Sequence, residues 1–556
     1  MKSKKNFAIY IAAITLIILL SGSCSTLNQK DENNRIPKLV KQGKVTRLYV
    51  DGKPFLILGG ELFNSSSSNV EYMRPVWQQV TDLNFNTVIT PLSWELVEPQ
   101  EGKFNFDLVD SLISGARQHN MHLVFLWLAS WKNGMSSYIP TWIKENFKQY
   151  PRIKIQNGAT TEVLSTFSDA NVVADSKAFA KLMKHIREVD GSNHTVLMMQ
   201  IENEVGILGD SRDRSEIANQ AFAAKVPKEL MDYMLKNKGS LVSELKEHWE
   251  KNGFKTSGNW EEIFGKGEHC DEIFMAWNYA CYVNKVAEAG KKEYPIPMYA
   301  NAWLNQECCP EPGRYPSGGP LAHLFDIWFA GAPSIDILSP DIYVPDYENR
   351  CQDFTRRGNP LFIPEMQSSE EGVHNIFIAI GKYNALGVSP FGIDLLGKIS
   401  FGTEPTKGPK ETALSKSYGI ISQISPLILE KQAKGEITGF VLDEKHPVVT
   451  KDIGGYRLEI SLDELFGNKS KVGYGIVMVD GPNKFIGAGC GFRVHFFNLA
   501  NKSSIVGVGN VDEGIFKNGK WLPGRRLNGD EDDQGRAWRF NIRGLNIEKC
   551  MVYNYE

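Results

Sequence analysis

The stretch "VLMMQIENEVG", Val196–Gly206, joins two opposed patterns. Val196, Leu197, Met198 and Met199 form a continuous apolar run, as a strand buried on both faces requires. Gln200, Glu202, Asn203 and Glu204 then follow within five residues. Carboxylates and an amide at the end of such a run are costly unless they are paired or used. The same design therefore has to be looked for elsewhere in the chain.

It recurs. "FLILGGELFN", "FNTVITPLSWE", "HLVFLWLASW", "VLMMQIENE", "PMYANAWLN", "IDILSPDIY", "PLFIPEMQ" and "GVSPFGIDLL" make eight apolar runs that end in polar or aromatic residues. Amphipathic stretches such as "DLVDSLISGARQH" and "DSKAFAKLMKHIREV" separate them. Eight such units between about Arg47 and Lys398 predict a (β/α)₈ barrel of parallel strands. An open doubly wound sheet fits less well, because no GxGxxG turn follows the first run. The long insertion from about Gly206 to Glu272 contains "KELMDYMLKNKGSLVSELKEHWEKNG", which reads as two helices over the barrel mouth. From about Ile424 the texture changes to short alternating runs, among them "GYRLEISLDEL", "YGIVMVDG" and "AWRFNIRG". They predict an all-β, sandwich-like second domain. The expected organisation is a leader at 1–24, a tether at 25–40, the barrel at 41–423 and the β domain at 424–556.

Composition narrows the function. The 556 residues are 42% hydrophobic and 23% charged with a net charge of −3, which gives no case for a nucleic-acid partner. The N-terminus has a basic "MKSKK", the apolar "FAIYIAAITLIILL", and then "SGSC". This reads as an export signal, shorter than the ~20 residues of a spanning helix. Small residues ending at Cys24 resemble a bacterial lipobox, with Leu20 one place early and Ser21 where an aliphatic is usual. Cys24 is then the lipidated residue, and the protein is expected to be exported and lipid-anchored to the outer membrane. Lys30-Asp31-Glu32 resembles the acidic export signal of surface lipoproteins in Bacteroidetes-type bacteria. Simple secretion with cleavage nearby is the alternative. Seven further cysteines leave a bridge from Cys308 or Cys309 to Cys351 open. No zinc-ligand spacing occurs, and neither metal nor cofactor is expected. The acidic "NGDEDDQG" reads as a solvated turn in preference to a calcium loop.

Barrel active sites lie at the C-terminal ends of the strands. Run 4 ends in Asn203-Glu204, and run 7 in Glu365, across the circle. Two carboxylates facing across a mouth are what glycosidic-bond cleavage requires, one protonated and one ionised. Glu61, Asn64, Trp94, Glu95, Trp127, Trp131, Asn301, Trp303, Asp341, Tyr343 and Asp394 also fall at or just past run ends. Aromatics there can stack on sugar rings, and polar groups can bind hydroxyls. Alternation places Gln200, Glu202 and Glu204 on one face and does not choose between the glutamates. Position along the run favours Glu204 and makes Glu202 a structural carboxylate. Asn203 shares the cleft only if the strand twists or bulges there.

"QIENEVG" resembles the QxENExG motif of glycoside hydrolase family 35, and "NFNTVITPLSWELVEPQEGKFNFDLVD" resembles that family's second-strand motif. The resemblance covers the barrel and implies a retaining glycosidase with Glu204 as acid/base and Glu365 as nucleophile. It implies that Asn203 holds the sugar 2-hydroxyl and that Tyr343 hydrogen-bonds the nucleophile. Trp94, Glu95, Asn64, Trp131, Asn301 and Trp303 are the further candidate sugar contacts. Val205 stands where tyrosine is usual, and "FLWLASWKNGMSSYIPTWIK" keeps only the final P-x-W of the family's third-strand stretch. The chain resembles a divergent bacterial branch shared by the family 35 and family 42 β-galactosidases. The implied activity is exo-acting hydrolysis of β-galactosides without a cofactor. A β-glucosidase, β-glucosaminidase or α-L-arabinosidase of the same clan is the alternative within the class. A glycan-binding surface lipoprotein on a barrel that has lost catalysis is the alternative outside it. For the β domain a structural role is favoured over carbohydrate binding, and the oligomeric state is left open.

Overall fold

The computed structural model describes residues 35–396 and 409–556, apart from 466, 528 and 543. The leader, Cys24 and most of the expected tether lie outside the described residues. All eight apolar runs become strands of one closed parallel barrel. They are β1 (Ile57–Glu61), β2 (Thr87–Ser93), β3 (His122–Lys132), β4 (Val196–Asn203), β5 (Met298–Trp303), β6 (Ile337–Ile342), β7 (Ile363–Met366) and β8 (Gly387–Pro390). β8 pairs with β1 and closes the ring.

Side chains alternate between two cores, as the pleat demands. Ile57, Ile89, Val124, Leu126, Leu197, Met198, Tyr299, Ile337 and Phe362 pack together with Leu48 and Val50. The last two come from Val45–Val50, the middle strand of a small antiparallel sheet that precedes the barrel. The intervening strand residues face the helices, including the long α1 (Asp169–Asp190) and α2 (Glu268–Glu293). The insertion after β4 holds the two expected helices, Lys228–Asn237 and Ser243–Lys251, and two shorter ones at Glu216–Ala223 and Trp260–Phe264. Among the described residues, no helix is long and apolar enough to cross a membrane.

The C-terminal part stacks a six-stranded antiparallel sheet on a four-stranded one, with Phe440, Leu458, Val477, Phe492 and Trp538 in the core they form. Residue 423 falls within α4 (Ala413–Lys434), which leads into β9 (Ile437–Leu442), the edge strand of the six-stranded sheet. Tyr418 of α4 donates to the carbonyls of Gly59 and Val388, so the helix is bound to β1 and β8. Ile437, Tyr474, Ile476 and Ile547 belong to the same apolar core as the barrel helices. The β domain therefore covers barrel surface. The seven described cysteines are all free thiols, and Cys351 sits in the barrel core while Cys308 is exposed. The bridge to Cys351 is not formed. In the acidic turn, Glu531 pairs with Arg525 and Asp533 with Arg536.

The tightest seam between the two parts is glycine on glycine. α3 (Glu370–Gly381) lies on β9, and a Cβ on Gly439 would come 1.9 Å from the Phe377 carbonyl oxygen. A Cβ on Gly381 would come 2.6 Å from the Gly439 Cα. Backbone cannot yield as a flexible side chain does. Gly439→Ala is expected to destabilise the protein by about 1–3 kcal/mol, the cost of overpacking a close contact. Denaturant unfolding against the parent protein measures it.

Candidate active site

The mouth of the barrel is shaped by a bulge between β3 and β4. Trp127 pairs with Ile201, and the next pair is Lys132 with Asn203. β3 thus gains five residues where β4 gains two, and the amides between are released from the ladder. Glu202 takes two of them: its carboxylate accepts from the backbone N–H of Ser130 at 3.1 Å and of Trp131 at 3.0 Å. Glu202 and Glu204 both sit at positive φ, 61° and 45°. Such a conformation costs about 1–3 kcal/mol per non-glycine residue and is held only by its surroundings. It breaks the strict alternation expected of Gln200, Glu202 and Glu204. Glu202 turns to the β3 backbone and Asp175 of α1, while Asn203 and Glu204 both enter the cleft. Burial, then the charge of Asp175, pushes Glu202 well above the carboxylate range. Gly206 closes the motif because a Cβ there would meet Pro316 backbone at 2.4 Å.

In the cleft, one oxygen each of Glu204, Asp341 and Glu365 lie within 4.8 Å of one another. Both oxygens of Glu365 accept hydrogen bonds, from Asn203 Nδ2 at 3.2 Å and from the Tyr343 hydroxyl at 2.8 Å. Tyr343 presents its ring to solvent and its hydroxyl to the cleft. Asn301 accepts from the Glu204 backbone N–H and donates to Asp341 at 2.7 Å. Burial first, then the charge of Glu365, raises Glu204 to about 7, against the pull of Lys132 and a hydrogen bond with Asp341. Asp341 is pushed well up by burial and then by Glu365 and Glu204. A carboxyl near 7 is half-protonated at neutral pH, which suits a group that must both give and take a proton. The three-carboxylate spacing would also admit a metal ion. A cation is already supplied there by Lys132.

Lys132 is the residue that sequence reasoning missed. It is 6% exposed, and its ammonium donates to Asn203 Oδ1 at 2.6 Å. Burial works to lower it, but Glu365, Glu204, Glu61 and Asp341 together outweigh burial and hold it above the usual lysine value. The signal was available: a lysine directly ends the apolar run "HLVFLWLASWK", where the third-strand motif departs from family 35. Glu61 also reaches the cleft, from the end of β1, with neither carboxyl oxygen hydrogen-bonded among the described residues.

Other expectations fare differently. Trp94, Trp127 and Trp131 are fully buried. Trp94 Nε1 donates to Glu98, Trp127 to Asp175 and Trp131 to the Leu164 carbonyl, so they belong to the wall and not to a sugar platform. A long aromatic at a strand end packs inward when helices lie over it, and sequence position alone does not tell the two apart. Glu95 is tied to Lys144 at 3.2 Å. Asp394 accepts from Phe63 N and Ser66 Oγ, fastening the loop after β1. Trp303 is half-buried at the end of β5, and Asn64 keeps a buried Oδ1 without a hydrogen-bond partner among the described residues. These two remain available to a ligand.

Residues 64–271 match the model of glycoside hydrolase family 42, described as "Beta-galactosidase". Residues 414–539 match a domain of unknown function, DUF5597. A β-galactosidase of Xanthomonas manihotis is 27% identical over 176 residues, which are 30% of this chain and 26% of that one. The chain thus aligns with about a quarter of that relative's length. The β-galactosidase structure from Bacillus circulans sp. alkalophilus superposes with a TM-score of 0.46 at 14% identity, over 68% of this chain and 57% of its own. The β-amylase catalytic domain of Paenibacillus polymyxa gives 0.46 at 13% identity, over 66% and 97%. Part of the barrel, residues 64–271, is thus similar to family 42 β-galactosidases. Of the two families the motifs resemble, family 42 is the one whose model matches. The matched segment contains Asn203 and Glu204 but ends before Glu365, which the fold alone brings to them.

Lys132→Met removes a charge that lowers Glu204, so Glu204 is expected to titrate above 7 in the variant. Carboxyl ¹³C NMR of glutamate-labelled protein follows that titration directly.

Proposed function

We propose that the barrel is a retaining, exo-acting β-galactosidase that removes terminal β-galactosyl units from oligo- or polysaccharides by double displacement. One observation carries the reading: Glu204 and Glu365 bring oxygens within 4.8 Å of each other. Retaining glycosidases hold their carboxyl groups about 5–5.5 Å apart, and inverting ones about 6.5–9.5 Å to admit a water. That closeness favours direct attack by Glu365 over attack by an intervening water.

In this reading Glu365 attacks the anomeric carbon while Glu204 gives its proton to the glycosidic oxygen. The leaving alcohol departs and a glycosyl ester on Glu365 remains. Glu204, now ionised, takes a proton from water as that water attacks the anomeric carbon, and Glu365 is released. The Tyr343 and Asn203 hydrogen bonds fix the nucleophile, and Lys132 fixes the Asn203 amide so that its NH₂ faces Glu365. A sugar 2-hydroxyl beside Glu365 would lie within reach of the same amide. The leader ending at Cys24 supports an exported, lipid-anchored enzyme acting on glycans outside the cell.

Aryl β-glycosides of galactose, glucose, N-acetylglucosamine and fucose, with aryl α-L-arabinoside, test the activity. Cleavage of the galactoside above the others is expected. Glu365→Gln and Glu204→Gln are each expected to lose about 10³-fold or more in kcat/KM, since each removes a group the transition state needs. Full activity in both variants would exclude the assignment. For the anchor, Cys24→Ser is expected to abolish incorporation of an alkyne-labelled fatty acid during expression in a Gram-negative host.

A further inference from the structure

Glu61 is a buried acid that the mechanism above does not use. It ends β1, has no exposed surface, and neither carboxyl oxygen has a hydrogen-bond partner among the described residues. Its direction follows from the pleat. Ile57 belongs to the interior core of the barrel and Leu58 to the outer one, so Gly59 and Glu61 alternate back to the interior. At the end of the strand, the interior is the floor of the cleft. Glu61 interacts electrostatically with Glu365, Lys132 and Glu204, which places it among the groups that would surround the bound sugar.

Leaving such a group unsatisfied costs about 1–3 kcal/mol, and more when it is charged. A residue retained under that penalty calls for a ligand. The neighbouring strands repeat the pattern. Gln200 Oε1, the Tyr299 hydroxyl and Ser339 Oγ, on β4, β5 and β6, are also buried without hydrogen-bond partners among the described residues. Tyr299 is in the interior core, and Ser339 is two residues beyond interior Ile337. The cleft floor is therefore polar, and Glu61 is one of its unpartnered groups.

We propose that Glu61 is a substrate-holding residue whose carboxyl binds hydroxyls of the terminal sugar, and that it restricts the pocket to neutral glycosyl units. This inference rests on the glycosidase reading and deepens it. Burial, then Glu365 and Glu204, pushes Glu61 well above the carboxylate range against the opposing pull of Lys132. The protonated form that this shift favours donates one hydrogen bond and accepts others, which is how adjacent hydroxyls are held. Exclusion of acidic sugars follows from the charge balance. The charge of Glu365 already raises Glu204 beside it, so a uronic acid carboxylate would enter against the same repulsion.

The test uses Glu61→Leu and Glu61→Gln in the full chain. The substrates are the aryl glycoside that the parent protein cleaves best, its monodeoxy analogues and the matching uronide. Glu61→Leu is expected to lose about 10²-fold in kcat/KM, the worth of two hydrogen bonds to a polar site. The parent protein is expected to lose a similar factor on the deoxy analogue lacking a held hydroxyl, and Glu61→Leu to lose nothing further on it. Glu61→Gln, which keeps shape and neutrality, is expected to retain more activity than Glu61→Leu. Neither variant is expected to melt below the parent, because an unpartnered buried acid stabilises nothing. Unchanged discrimination among the deoxy analogues in Glu61→Leu, a lowered Tm in both variants, or uronide cleavage by the parent at the rate of the neutral glycoside would each overturn the proposal. A parent protein inactive on every neutral glycoside would overturn the glycosidase reading first, a distinct result from an active parent indifferent to Glu61.

Discussion

The bond between the Glu202 carboxylate and the amides of Ser130 and Trp131 is the contact on which the site depends. The bulge of β3 against β4 releases those amides, and buried amides need a partner. With Glu202 turned to them, the strand end adopts the positive φ values that send Asn203 and Glu204 into the cleft together. The same bulge delivers Lys132 to Asn203. Without it, a regular strand would place Asn203 and Glu204 on opposite faces.

Charge balance follows from that geometry. Four acids, Glu61, Glu204, Asp341 and Glu365, share one buried ammonium. They cannot all ionise in a low-dielectric cleft. Burial and mutual repulsion push three of them up, Glu204 to about 7 and Glu61 and Asp341 well beyond the ordinary range. Lys132 opposes this shift at Glu204 and Glu61 and fixes the amide beside the nucleophile. A lysine there acts as both a charge and a strut.

The β domain bears on the site indirectly. It shares an apolar core with the barrel helices, and α4 hydrogen-bonds the carbonyls of β1 and β8 through Tyr418. Gly59 lies two residues before Glu61 on β1. The domain thus supports from behind a strand that carries a cleft residue.

The sequence by itself determined the eight strands, their parallel barrel and the all-β texture beyond, because continuous apolar runs and period-two alternation report burial directly. It also picked out Asn203, Glu204, Glu365 and Tyr343 as candidates, since polar residues that end apolar runs arrive at the barrel mouth. Only the tertiary structure decided which way each side chain turns. The tryptophans at the ends of β2 and β3 went into the wall because helices pack over them. Lys132 came in because the bulge moved it, and no local pattern announces a bulge formed between strands more than sixty residues apart. Glu61 was visible as one acid among many. That neither of its oxygens is hydrogen-bonded among the described residues is a property of three-dimensional packing, which a sequence cannot display.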